Sequence, residues 1–196
     1  MPSMPTFGRA AWAAALAALV AAGCATLDQG ESPFPSAPPP EAEVVPGVRP
    51  DPAAYVPAGP LVLPAAEGQP PHRAAALRLV ERAARDLAEG RDDVASRQLD
   101  RALRVDPSNA YAFFLIALHR HRQGAFDQSL AFAQKAEILL RDDRRWLAET
   151  YLLMALDQEA LARPREALRL YEAALGLYPD GALARGRAAE LRRALQ

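Results

Sequence analysis

The chain has 196 residues, 23 basic and 24 acidic, with a formal net charge of −1; it fits one domain with appendages and has no general electrostatic pull toward nucleic acid. A single Cys excludes an intramolecular disulfide framework and a Cys-rich metal site, and three His are sparse for metal or acid–base chemistry. The charge is unevenly divided: residues 25–71 hold one base (Arg49) against six acids, whereas residues 72–196 hold 21 bases against 18 acids.

The N-terminus reads as an address. Arg9 is followed by a 13-residue apolar run, Ala10 to Ala22. That is shorter than the roughly 17–25 residues a membrane span needs, and it suits the apolar region of a secretory signal. From the residues alone it also fits an ordinary signal peptide, or an uncleaved anchor with an incidental Cys. The run ends in Ala21-Ala22-Gly23-Cys24, and small residues before a lone Cys resemble the bacterial lipobox. Ala21 stands where that family prefers Leu. The resemblance implies a signal peptide over residues 1–23 and a diacylglyceryl-modified Cys24 as the first mature residue. Multiple acyl chains hold a protein at a membrane far better than one. Ala25 is not the Asp that retains such lipoproteins at the inner membrane. The expected address is therefore the periplasmic face of the outer membrane, or the extracellular face in a single-membrane host.

Residues 24–71 form a Pro-rich spacer. Of the 18 Pro, 13 lie between Pro33 and Pro71. Pro removes an N–H and restricts its predecessor, so neither helix nor central strand is expected. The spacer is expected to be disordered, and fully extended it would reach on the order of 140 Å. Its task would be to hold the folded part away from the lipid. Two apolar patches, Tyr55-Val56 and Leu61-Val62-Leu63, leave open whether part of it folds back.

From Arg73 onward the pattern is helical. Leu77, Val80, Ala84 and Leu87 recur at helical spacing, and a second stripe runs through Val94, Leu99, Ala102 and Val105. Asp106-Pro107 ends that stripe. The layout then repeats. Gly90 and Gly124 are 34 residues apart, as are Ala102 and Ala136, whereas Ala136 and Ala174 are 38 apart. Four residues are thus inserted, expected near Asp142 to Arg145.

A 34-residue period of paired helices resembles the tetratricopeptide repeat (TPR) family. Small residues recur where helices approach closely: Ala83, Ala95 and Ala102, then Ala117, Ser129 and Ala136, then Ala155, Ala167 and Ala174. Leu99, Phe113, Tyr151 and Tyr171 are the large residues expected between them. The first unit departs from the family at Arg82 and Asp86, the second at Arg141 and the third at Ala162. The expected fold is all-α: about three hairpins (76–109, 110–143, 148–181) in a short right-handed superhelix, then a capping helix over 182–196. That last helix carries Leu183, Ala188, Leu191 and Leu195 beside four Arg. It reads as a polar-backed cap rather than a nucleic-acid patch.

No phosphate-cradling Gly loop is present, and His119 and His121 diverge by about 200° on a helix, so they cannot share a metal. Neither catalysis, cofactor nor metal is expected. The TPR resemblance implies a groove lined by the first helix of each hairpin. Its positions here are Leu77, Val80, Ala84 and Leu87; Tyr111, Phe114, Leu118, His121 and Arg122; and Glu149, Leu152, Leu156 and Glu159. The family's clamp for a terminal carboxylate uses Lys, Asn and Arg. Val80, Ala84, Phe114, Leu118, Leu152 and Leu156 stand here instead, which argues against that clamp. An apolar floor with Arg122 and Glu159 at the rim would suit a helix of another envelope protein laid into the groove. The alternative is a structural or self-associating subunit of a larger envelope complex, such as an outer-membrane assembly, pilus, secretion or motility machine. The sequence does not fix the oligomeric state.

Overall fold

The computed structural model describes Tyr55 and residues 62–196, all within a compact unit of residues 41–196. The expected signal peptide, Cys24 and most of the spacer lie outside the described residues. Among the described residues seven α-helices follow in order: α1 (Pro71–Ala88), α2 (Asp92–Val105), α3 (Ala110–Arg122), α4 (Phe126–Leu139), α5 (Arg144–Ala160), α6 (Pro164–Leu177) and α7 (Ala182–Ala194). None among the described residues is long and apolar enough to cross a membrane.

The helix ends follow from local chemistry. Pro71 and Pro164 occupy first-turn positions, where the missing N–H costs nothing. Asn109 caps α3 by accepting from the Ala112 N–H at 3.0 Å, and Asp143 caps α5 by accepting from the Trp146 N–H at 3.2 Å. Each hairpin turn closes alike. The Arg91, Ala125 and Arg163 amides reach back to the Asp86, Arg120 and Gln158 carbonyls at 2.8–2.9 Å. This closure places Gly90, Gly124 and Ala162 in the left-handed region, at φ 72°, 74° and 55°. Ala162 is the position where the third hairpin departs from the TPR pattern, and it adopts the glycine conformation regardless.

α1 pairs with α2, α3 with α4 and α5 with α6; the first helices also touch one another, α1 on α3 and α3 on α5. The small residues serve these approaches: Ala83, Ala95, Ala102, Ala117, Ser129, Ala136, Ala155 and Ala167 have no exposed surface. Ser129 Oγ donates to the Ala117 carbonyl at 2.9 Å, which satisfies its hydroxyl at the α3–α4 contact. Leu99 and Tyr171 are core, as expected, whereas Phe113 and Tyr151 stay half-buried at the edge.

The connections from α2 to α3 and from α4 to α5 are the same length, 106–109 and 140–143. The four inserted residues therefore lengthen no loop. They add one turn, Arg144 to Leu147, to the start of α5, which has 17 residues where α3 has 13. α7 packs on α6 through Ala184, Ala188 and Leu191.

Candidate functional site: the inner face of α1, α3 and α5

The added turn of α5 changes the inner face. It brings Trp146 against α3, where the indole meets Tyr111 at 5.0 Å between ring centroids and Phe114 at 5.2 Å, both edge-on. Such edge-to-face pairs stabilise by about 1 kcal/mol beyond their burial. Tyr111 is half-buried and donates its hydroxyl to Asp143 Oδ2 at 3.0 Å.

Tyr55, from the spacer, sits on this aromatic floor. Its ring is 6% exposed and lies 6.3 Å from Phe114, and its hydroxyl donates to Glu149 Oε2 at 2.9 Å. Burial first, and then the adjacent Glu149 carboxylate, push the Tyr55 pKa well above its ordinary value, so the phenol remains a donor. Glu149 is itself 2% exposed and is met at 3.1 Å by Arg145, one helical turn earlier. Arg145 also lies 4.1 Å above the Tyr178 ring. A second tie follows seven residues beyond Tyr55: the Trp146 indole N–H donates to the Val62 carbonyl at 3.1 Å. The Val62 side chain points away and is 76% exposed, so the contact reads backbone only. Neither Tyr55 nor residues 62–65 are helical.

The expected groove residues divide accordingly. Val80, Phe114, Leu118, His121, Leu152, Leu156 and Glu159 are buried, Ala84 and Tyr111 are half-buried, and only Arg122 is exposed. Phe114 is covered in part by Tyr55. Arg122 reaches the end of α1, with its guanidinium 3.4 Å from the Leu87 carbonyl.

Two of these residues serve packing: His121, expected to line the groove, and Glu159, expected at its rim. His121 Nδ1 faces Asp157 Oδ1 at 2.7 Å, which joins α3 to α5 in the core. Burial, the largest influence, raises the Asp157 pKa against the opposing effect of His121. Glu159 accepts the Tyr171 hydroxyl and a two-pronged contact from Arg187 of α7 at 2.7 and 3.1 Å. It fastens the cap. His119, two positions before His121, is buried and contacts Gln123 Nε2 at 3.0 Å; desolvation lowers its pKa.

The described end of the spacer is therefore placed against the helices: its apolar ring and two hydrogen bonds offset the entropy of ordering it. Beside it, a cavity of about 620 Å³ separates residues 62–67 from α1 and is bordered by Leu77, Ala84 and Arg85. Sequence reasoning reached Phe114 and Glu149 but not Trp146. The available signal was a Trp directly after the residues where the insertion was expected.

The sequence matches no family model and no curated protein. Solved structures do match. The N-terminal domain of stress-induced protein-1 from C. elegans aligns at a TM-score of 0.57 and 16% identity, covering 63% of this chain and 99% of that one. The first TPR of Spaghetti (RPAP3), bound to an HSP90 peptide, aligns at 0.56 and 24% identity, covering 62% and 93%. The Arabidopsis OM64 TPR domain aligns at 0.56 and 20% identity, covering 62% and 98%. The described helices have the TPR fold.

Proposed function

We propose that this protein is a lipid-anchored TPR module of a bacterial cell envelope, which holds a partner protein by a segment laid along the inner face of α3 and α5. The observation that carries the reading is that this face already accommodates a segment from outside the repeats. It does so through an aromatic floor, a buried carboxylate acceptor and an indole donor. The bound residues are non-helical, so an extended segment fits better than the helix expected from the apolar pattern. One structural neighbour carries a bound peptide, which suits an interaction role for the fold. Its HSP90 ligand does not transfer, because Val80, Phe114 and Leu152 provide no charge for a terminal carboxylate. Membrane attachment rests on Cys24 and the apolar run before it, with the outer membrane as destination.

The test is a photo-crosslinker at Arg122, the exposed residue on this face, in cells making the full chain. A single dominant envelope protein is expected. No captured protein, with expression intact, would overturn the docking role. Cys24→Ser is expected to release the protein from the membrane fraction without changing its helical fold; retention at the membrane would contradict the lipid anchor.

A further inference from the structure

The Tyr55 contact is built like a binding site, not like a chance collapse. Glu149 is nearly inaccessible, yet its carboxylate is aimed at a hydroxyl supplied from 94 residues away in sequence. The chain spends its inserted helical turn on the two other parts of this contact, Arg145 beside Glu149 and Trp146 beside Val62. The demands on an occupant can be read from these parts. An aromatic ring must lie on Phe114, and a neutral O–H must reach Glu149. A carbonyl seven residues later must accept from the Trp146 indole. A carboxylate or phosphate in place of the phenol would set like charges together in a buried site. The exposed Val62 side chain leaves the residue at that position unspecified.

Resting on the docking function above, we propose that the Tyr55 segment is a built-in competitor. The partner would be a protein whose extended segment carries a tyrosine and, seven residues on, an accepting backbone carbonyl, and it would displace Tyr55 from Phe114, Glu149 and Trp146. The tether makes the competition substantial. Tyr55 is 16 residues from Pro71 at the start of α1. A tether that short gives an effective concentration on the order of millimolar. A partner segment of similar intrinsic strength is therefore outcompeted unless a second contact assists it, and the cavity beside α1 offers room for one. The same segment lies between Cys24 and the helices, so its release lengthens the spacer by 16 residues as it opens the site.

The experiment titrates a fluorescein-labelled peptide of residues 52–66 into the full chain in detergent, comparing wild type with Tyr55→Ala. The variant is expected to bind the peptide about tenfold to a hundredfold more tightly. A peptide with Ala at the tyrosine should bind neither chain, and one with Phe should bind more weakly than the original. The Tyr55→Phe chain, which keeps the ring and so guards against a folding defect, is expected to fall between the other two. Equal affinity for wild type and Tyr55→Ala would overturn the competitor, and so would equal binding of the Tyr and Ala peptides. A wild-type chain that dimerises with concentration while Tyr55→Ala stays monomeric would assign the site to a second copy, and that too would overturn it. None of these results removes a partner crosslinked from Arg122, so the docking function fails or stands separately.

Discussion

The two ends of α5 carry the same chemistry and use it differently. Glu149 and Glu159 lie ten residues apart on one helix, both buried, and each accepts a tyrosine hydroxyl. At the C-terminal end the tyrosine is Tyr171 of the adjoining helix, and Arg187 closes on the carboxylate from the cap. At the N-terminal end the tyrosine is Tyr55, whose ring lies on Phe114 and whose hydroxyl meets Glu149, with the Val62 backbone carbonyl tied to Trp146 nearby. A buried carboxylate is thus no label for function. Its partner's attachment decides: a partner on a packed helix makes a rivet, and one on a tether makes a replaceable ligand.

Cutting the rivet should have the largest effect. Arg187→Ala leaves Glu159 buried without its cation and is expected to cost about 3 kcal/mol in urea unfolding. Tyr55→Ala should cost less, about 1–2 kcal/mol, because the lost burial is offset by entropy returned to the spacer. If Tyr55→Ala proves the more damaging, the contrast between the two ends is wrong. Glu149→Gln keeps an acceptor but removes the charge, with an expected loss of about 1 kcal/mol. Ala162→Gly should act oppositely, adding about 1 kcal/mol by relieving a left-handed alanine, while Gly124→Ala loses a similar amount. Nothing lies near the position a Gly124 side chain would take, so that loss is purely conformational. The smallest effect is on pH. Desolvation lowers the His119 pKa, so its contribution is complete above the unfolded value of about 6.5 and fades as pH falls through the folded value. His119→Gln should flatten that acid limb in melts run from pH 7 to 5.

The helical array was legible because 34-residue spacing and small residues at close contacts are local and repeated. The insertion could be counted and placed to within about two residues, near Asp142 to Arg145, but not its conformation: the Asp143 cap starts a helix there and the extra residues become a turn. The groove positions were located by resemblance, but not their exposure. His121 and Glu159 find partners on α5 and α7, a pairing that no spacing within one helix reveals. Tyr55 was visible only as an aromatic in an apolar patch. Its role depends on Glu149, and such a distant pairing leaves no period in the sequence.

The central claim is that the inner face holds the tether reversibly as a ligand. The most direct measurement is hydrogen exchange at the Trp146 indole by NMR, in the full wild-type chain and in Tyr55→Ala. The account predicts a protected, hydrogen-bonded indole in wild type that shifts and exchanges rapidly once Tyr55 is lost. An indole unchanged between the two chains would show that Tyr55 does not hold the segment, and would contradict the account.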